Sequence, residues 1–117
     1  MTREEFKART KAFALRAVSV AESLPSDPIS QVFVRQLVRC STSVAANYRA
    51  AVRGKSRADF IAKMAIVEEE CDETLFWLET LIDTKRLPAA RSADLQREGD
   101  EILSIVVASI KTARRGR

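Results

Sequence analysis

Apolar residues recur along this chain at alternating spacings of four and three, the signature of helix faces buried against one another. Phe6, Thr10, Phe13, Ala17, Val20 and Leu24 open the series. The stretch "LPSDP" interrupts it, because Pro25 disfavours helix at the residue before it. Asp27 can cap a new helix there, with Pro28 at its first position.

A second stripe, Phe33, Leu37, Cys40, Val44 and Ala51 with Tyr48 beside it, predicts a helix from about Pro28 to Arg53, with Gly54 as its C-terminal cap. "SRAD" then gives Ser56 and Asp59 in a capping-box pattern. The third helix buries Phe60, Met64, Val67, Cys71, Leu75, Leu78 and Leu81 and ends near "KRLP". A fourth starts between Pro88 and Ser92 and buries Leu95, Gly99, Ile102, Val106, Ser109 and Ala113. Its basic end, "TARRGR" (residues 112–117), is expected to fray. Short connections between long helices make neighbours antiparallel. The expected fold is all-α: an up-down-up-down four-helix bundle, one domain over residues 1–117.

Composition agrees, with 46% apolar and 31% charged residues but only three glycines and three prolines in 117 residues. No apolar run reaches the ~18 residues of a membrane span, and the N-terminus lacks the apolar stretch of a signal peptide. No membrane role and a cytoplasmic location are therefore expected. Histidine is absent, which removes imidazole acid–base chemistry, His metal sites and Ser/His or Cys/His nucleophiles. With no glycine-rich phosphate loop either, the chain is expected to be no enzyme, with no catalytic residue, metal or cofactor. Cys40 and Cys71 fall on core stripes as small hydrophobes.

Charge changes the picture most. Residues 25–54 carry four Arg against one Asp, whereas residues 55–87 carry five basic against eight acidic residues. At 100° per residue, Arg35, Arg39, Arg49 and Arg53 fall within an arc of about 80° opposite the core stripe, a row some ~27 Å long. A solvated helix face usually mixes both signs, but no acid lies between Asp27 and Asp59. Arginine also suits forked contacts with phosphate or carboxylate. The row therefore points to a phosphate-bearing or acidic partner, or to the acidic third helix of another subunit.

Around that row, Ser41, Ser43, Ala45, Ala46, Ala50 and Ala51 keep bulk low and permit close helix approach. Asn47 flanks the core as a structural polar group that could bond across helices. On the third helix, Phe76 lies about 180° from Val67, with Ile66 and Trp77 to one side of the stripe. Apolar groups around the whole helix predict a subunit interface at Ile66, Phe76 and Trp77. Glu68, Glu69, Glu70, Asp72 and Glu73 cover several faces and are expected to form salt bridges or meet solvent.

The block from "RCSTSVAANYRAAVRGKSRADFIAKMAIVEEECDETLFWLETL", residues 39–81, with "AESLP" before it, resembles the 23S rRNA intervening-sequence family. Members are encoded within insertions in bacterial large-subunit rRNA genes or by free-standing genes. The resemblance implies a short antiparallel bundle assembled as a ring-shaped homopentamer, and an RNA-associated role. A related accessory protein of diversity-generating retroelements binds nucleic acid and a reverse transcriptase. Ser43 stands where many relatives have glycine, a small departure. Within the matching block and just before it, Arg35, Arg39, Arg49, Arg53, Lys55 and Arg57 are the expected contacts to rRNA or another structured RNA. The competing reading is an adaptor whose charged faces dock a protein partner.

Overall fold

The computed structural model describes residues 1–116; Arg117, the last residue of the basic tail, lies outside the described residues. Four helices account for nearly all of them: α1 (Arg3–Glu22), α2 (Pro28–Val52), α3 (Arg57–Asp83) and α4 (Ala89–Arg114). They form a rod of 47 × 23 × 20 Å. Each helix packs on the next in sequence and α4 closes back on α1, with no diagonal contact between helix backbones among the described residues.

Capping explains where the helices start. The Thr2 hydroxyl accepts from the Glu5 backbone N–H while the Glu5 carboxylate accepts from Thr2, a complete capping box for α1. Asp27 accepts from Ser30 N–H at 3.2 Å, with Pro28 in the first turn, as the sequence predicts. Ser56 accepts from Asp59 N–H at 3.1 Å and starts α3.

The helix ends depart from expectation twice. Gly54 does follow α2, but its backbone is not left-handed, so it is not the glycine cap foreseen. Crowding explains the glycine instead: a Cβ there would lie 2.7 Å from Asp59 Oδ2 and 3.0 Å from the Ala51 carbonyl oxygen. Left-handed residues follow α3 and α4 instead, Lys85 with φ 60° and Gly116 with φ 78°. Lys85 N–H donates to Ile82 at 2.9 Å and Arg86 N–H to Leu81 at 2.9 Å, the paired bonds of a Schellman ending. At the other helix end, α4 stays helical through Arg114, further than the expected fraying.

The core follows the stripes with two shifts. Phe6, Thr10, Phe13 and Ala17 are buried in α1, but the next buried position is Ala21 rather than Val20. In α4, Leu95, Gly99, Ile102 and Val106 are followed by Ile110 rather than Ser109. Phe33 and Phe60 are half-buried, not central. Gly99 marks a close approach in the core, since a Cβ there would stand 2.7 Å from Leu75 Cδ2 and 3.2 Å from Phe13 Cε1. Beside it, Arg9 of α1 grips Glu98 of α4 with bonds of 2.7 and 2.8 Å. That fork holds Glu98 below the usual carboxylate range.

Candidate nucleic-acid interface

The arginine row on α2 is exposed as expected, but its members differ in what surrounds them. Arg39 spans to α3, with Nη1 2.9 Å from Glu70 and Nη2 on Glu73. Glu73 also accepts from Trp77 Nε1 at 3.0 Å, and the two donors hold its carboxyl below the usual range. Two residues of the acidic run are therefore structural partners. Arg39 belongs to that network and, with its side chain about half exposed, offers little free charge.

Arg35, Arg49, Arg53, Lys55 and Arg57 form no ion pair among the described residues. Arg49 lies in the last turn of α2, Arg53 caps it, Lys55 is in the turn, and Arg57 begins α3. The fold thus brings four of the six predicted cations to one end of the rod. Arg35 stands apart, roughly 21 Å from Arg49 along the helix axis at ~1.5 Å per residue.

One lysine, Lys11, extends this surface beyond the sequence prediction. A groove of about 530 Å³ runs between α1 and α2, lined by Lys11, Arg49 and the Lys7–Glu4 pair, 4.0 Å apart, around a floor of Ala8, Ala45 and Ala46. The small residues singled out in the sequence thus open a groove here. Elsewhere they pack: Ser41 and Ala51 are buried. The mid-helix hydroxyls bond back along their own helices, Ser41 and Thr42 to the Val38 carbonyl and Thr74 to that of Glu70. Asn47 does likewise, donating to the Ser43 carbonyl at 3.0 Å and hydroxyl at 2.8 Å, so it crosses to no other helix. Lys11 was hidden from sequence reading because its closeness to Arg49 depends on how α1 lies against α2.

The predicted interface residues also separate. Trp77 stacks between Phe33, ring centroids 5.6 Å apart, and Phe76, 5.0 Å away and edge-on. Arg86 lies over the other ring of this cluster, 5.4 Å from the Phe33 centroid. Trp77 is consequently half-buried, whereas Phe76 is 54% exposed. Ile66 is exposed on the same helix about 15 Å away, at ~1.5 Å per residue. Ile29 and Val32, in the first turns of α2, are exposed too and carried no sequence signal of a surface role.

Both cysteines are buried. Cys40 Sγ lies 3.2 Å from the Thr74 hydroxyl, and Cys71 Sγ donates to the Gly99 carbonyl at 3.4 Å. Burial pushes both thiols up, Cys71 to about 12, so neither is poised as a thiolate. No cluster of three or more metal-ligating side chains occurs among the described residues. No described helix is long and apolar enough to cross a membrane.

Residues 4–108 match the family described as 23S rRNA-intervening sequence protein. The fold is similar to a crystal structure from Bacteroides thetaiotaomicron, described as a protein with unknown function from the S23 ribosomal protein family. The two share 33% identity and a TM-score of 0.87 over 95% of this chain and 99% of that one. A comparison with curated proteins found no match.

Proposed function

The chain belongs to the 23S rRNA-intervening sequence protein family, and on that footing we propose that it is a non-catalytic, cytoplasmic bundle that binds structured RNA through phosphate contacts. One observation carries this reading. Arg49, Arg53, Lys55 and Arg57 gather where α2 turns into α3 without a carboxylate partner among the described residues, while Arg39 of the same row is taken by Glu70 and Glu73. Unpaired, exposed cations are what a polyanion engages with release of its counterions. Lys11 beside Arg49 widens the surface. Its contacts address backbone shape rather than sequence, because no exposed platform of aromatic rings accompanies them.

The chain acts as a homo-oligomer in this proposal, the pentamer being the assembly implied by resemblance. Exposed Phe76, resting on Trp77, supports a subunit contact there. Repeating the basic end in each subunit would raise avidity without new contacts.

Titration of purified protein with a structured rRNA fragment at several salt concentrations tests the RNA reading. Four phosphate contacts give a slope of about −3 to −4 in log affinity against log salt. Arg49→Glu with Arg53→Glu should abolish binding while light scattering shows an unchanged oligomer. Dissociation of the oligomer by those changes would make the row a subunit contact. Absence of binding even at low salt would sink the RNA reading and leave the adaptor, a bundle whose charged faces dock a protein.

A further inference from the structure

At the end of the rod where α1 and α3 begin, the helices leave an open cleft of about 730 Å³. Beneath it Phe6 and Tyr48, each 4% exposed, meet edge to face with centroids 4.8 Å apart, and half-buried Phe60 forms a side. Arg3, Lys55 and Arg57 stand along it, and no carboxylate of a described residue lines it. The Arg3 guanidinium lies over the Phe60 ring, 5.0 Å from its centre.

Tyr48 gives a second, independent indication. The residue is 4% exposed, yet its hydroxyl makes no hydrogen bond to any described residue. Among the described residues no buried side-chain polar atom lacks a partner, so this hydroxyl reaches the cleft surface. Burial pushes the phenol up from its usual range, which keeps it protonated and able to donate. A nearly buried ring thus presents one unpartnered polar atom to an open, basic-sided space.

We propose that this cleft binds a single phosphorylated nucleotide unit, its base against the half-buried Phe60 ring and the Arg3 guanidinium beside the Tyr48 hydroxyl, and its phosphate on Lys55 and Arg57. A bare phosphate would use the cations and leave the rings idle; a neutral apolar ligand would leave three cations unanswered. A nucleotide uses both, and the space lies within the usual range of small-molecule sites, about 300–1,000 Å³. Planar bases stack on aromatic rings and on arginine alike. The site shares Lys55 and Arg57 with the proposed RNA surface but otherwise rests on its own residues. A free mononucleotide and the 5′-phosphorylated end of an RNA carry the same chemistry.

Calorimetric titration of the full chain with AMP, GMP, CMP and UMP, the matching nucleosides, inorganic phosphate, and a trinucleotide with and without its 5′-phosphate decides the matter. Mononucleotides should bind more tightly than either nucleoside or phosphate. Tyr48→Phe, which removes only the hydroxyl, should weaken them about fivefold, and Arg57→Ala about tenfold. Transferred magnetisation from base protons to the aromatic rings should locate the base without any substitution. Binding of the phosphorylated trinucleotide alone would identify an RNA end as the source. Phosphate binding as well as the nucleotides, no binding at all, or indifference to both substitutions would overturn the proposal. Loss of large-RNA binding in the Arg49→Glu, Arg53→Glu variant with nucleotide binding intact would separate the two sites.

Discussion

Arg39 on α2 and Glu70 on α3 are joined at 2.9 Å across the helix boundary, and Glu73 completes a three-residue bridge. This pairing divides a row of four arginines that looks uniform along the helix. Arg39→Ala should therefore leave RNA affinity within about twofold, since it removes no free cation. Reversal of Arg49 and Arg53 should abolish binding. Arg39 is half exposed but its partners only 14% and 34%, so losing the bridge should cost about 1–2 kcal/mol of stability, above a fully exposed pair. A salt-dependent binding titration and a denaturant melt of each variant check the two statements separately.

Lys85 occupies a left-handed backbone position where a side chain is unfavourable. Lys85→Gly should stabilise the protein by about 0.5–1 kcal/mol, relief of that crowding outweighing the added freedom of the unfolded chain. The midpoint in urea should move up with the slope unchanged. A lower midpoint would mean that the Lys85 side chain makes a contact worth more than its backbone costs.

Gly99 offers the opposite case. Its neighbours Leu75 and Phe13 leave no space for a branched side chain, and Gly99→Val should destabilise by about 2–3 kcal/mol despite removing a helical glycine. Chemical denaturation measures this directly. If valine were neutral, α1 and α4 would have to separate freely at that point.

Asp27 gives a pH signature. Its carboxylate is lowered to about 2, chiefly by the Ser30 hydroxyl and backbone N–H, then by Arg86. A carboxylate lowered on folding contributes stability above its unfolded range, near pH 4, and loses it as pH falls through about 2. Asp27→Asn keeps a capping side chain but not the charge. The gap in thermal midpoint between the two proteins should be present at pH 7 and close between about pH 4 and pH 2. A gap that persists below pH 2 would show that the charge is not its source.

Much of this was legible in the sequence, and the misses have specific causes. A strict four-and-three seam follows 3.5 residues per turn, whereas a straight helix has 3.6 and drifts by about 20° per heptad. After two or three heptads the buried position moves on by one residue, from Val20 to Ala21 and from Ser109 to Ile110. The α3 ending at Lys85 carried no signal because the left-handed position holds neither glycine nor asparagine. Within the site, exposure of the arginine row followed from helical period alone. The capture of Arg39 did not, since it depends on how α2 and α3 are aligned. Folding them back about the turn at 53–56 would have placed residue 39 opposite 70–73. The cleft was harder still, because Arg3, Tyr48, Phe60 and Thr112 come from four helices and share no spacing.

The Schellman turn also aims Arg86 back at the start of α2, where its Nε lies 2.7 Å from the Ser30 hydroxyl and its Nη2 3.4 Å from Asp27. The α2–α3 hairpin is thus fastened at its open end as well as at its turn, along the most extensive helix contact in the molecule. Such a segment behaves as a cooperative unit whose opening approaches the global unfolding free energy. Amide hydrogens in the middle of α2 and α3 should exchange last, after those of α1 and α4. Releasing the fastening with Arg86→Ala should accelerate exchange first in the opening turns of α2. The two central helices would then be the part of the chain that persists while the outer pair breathes.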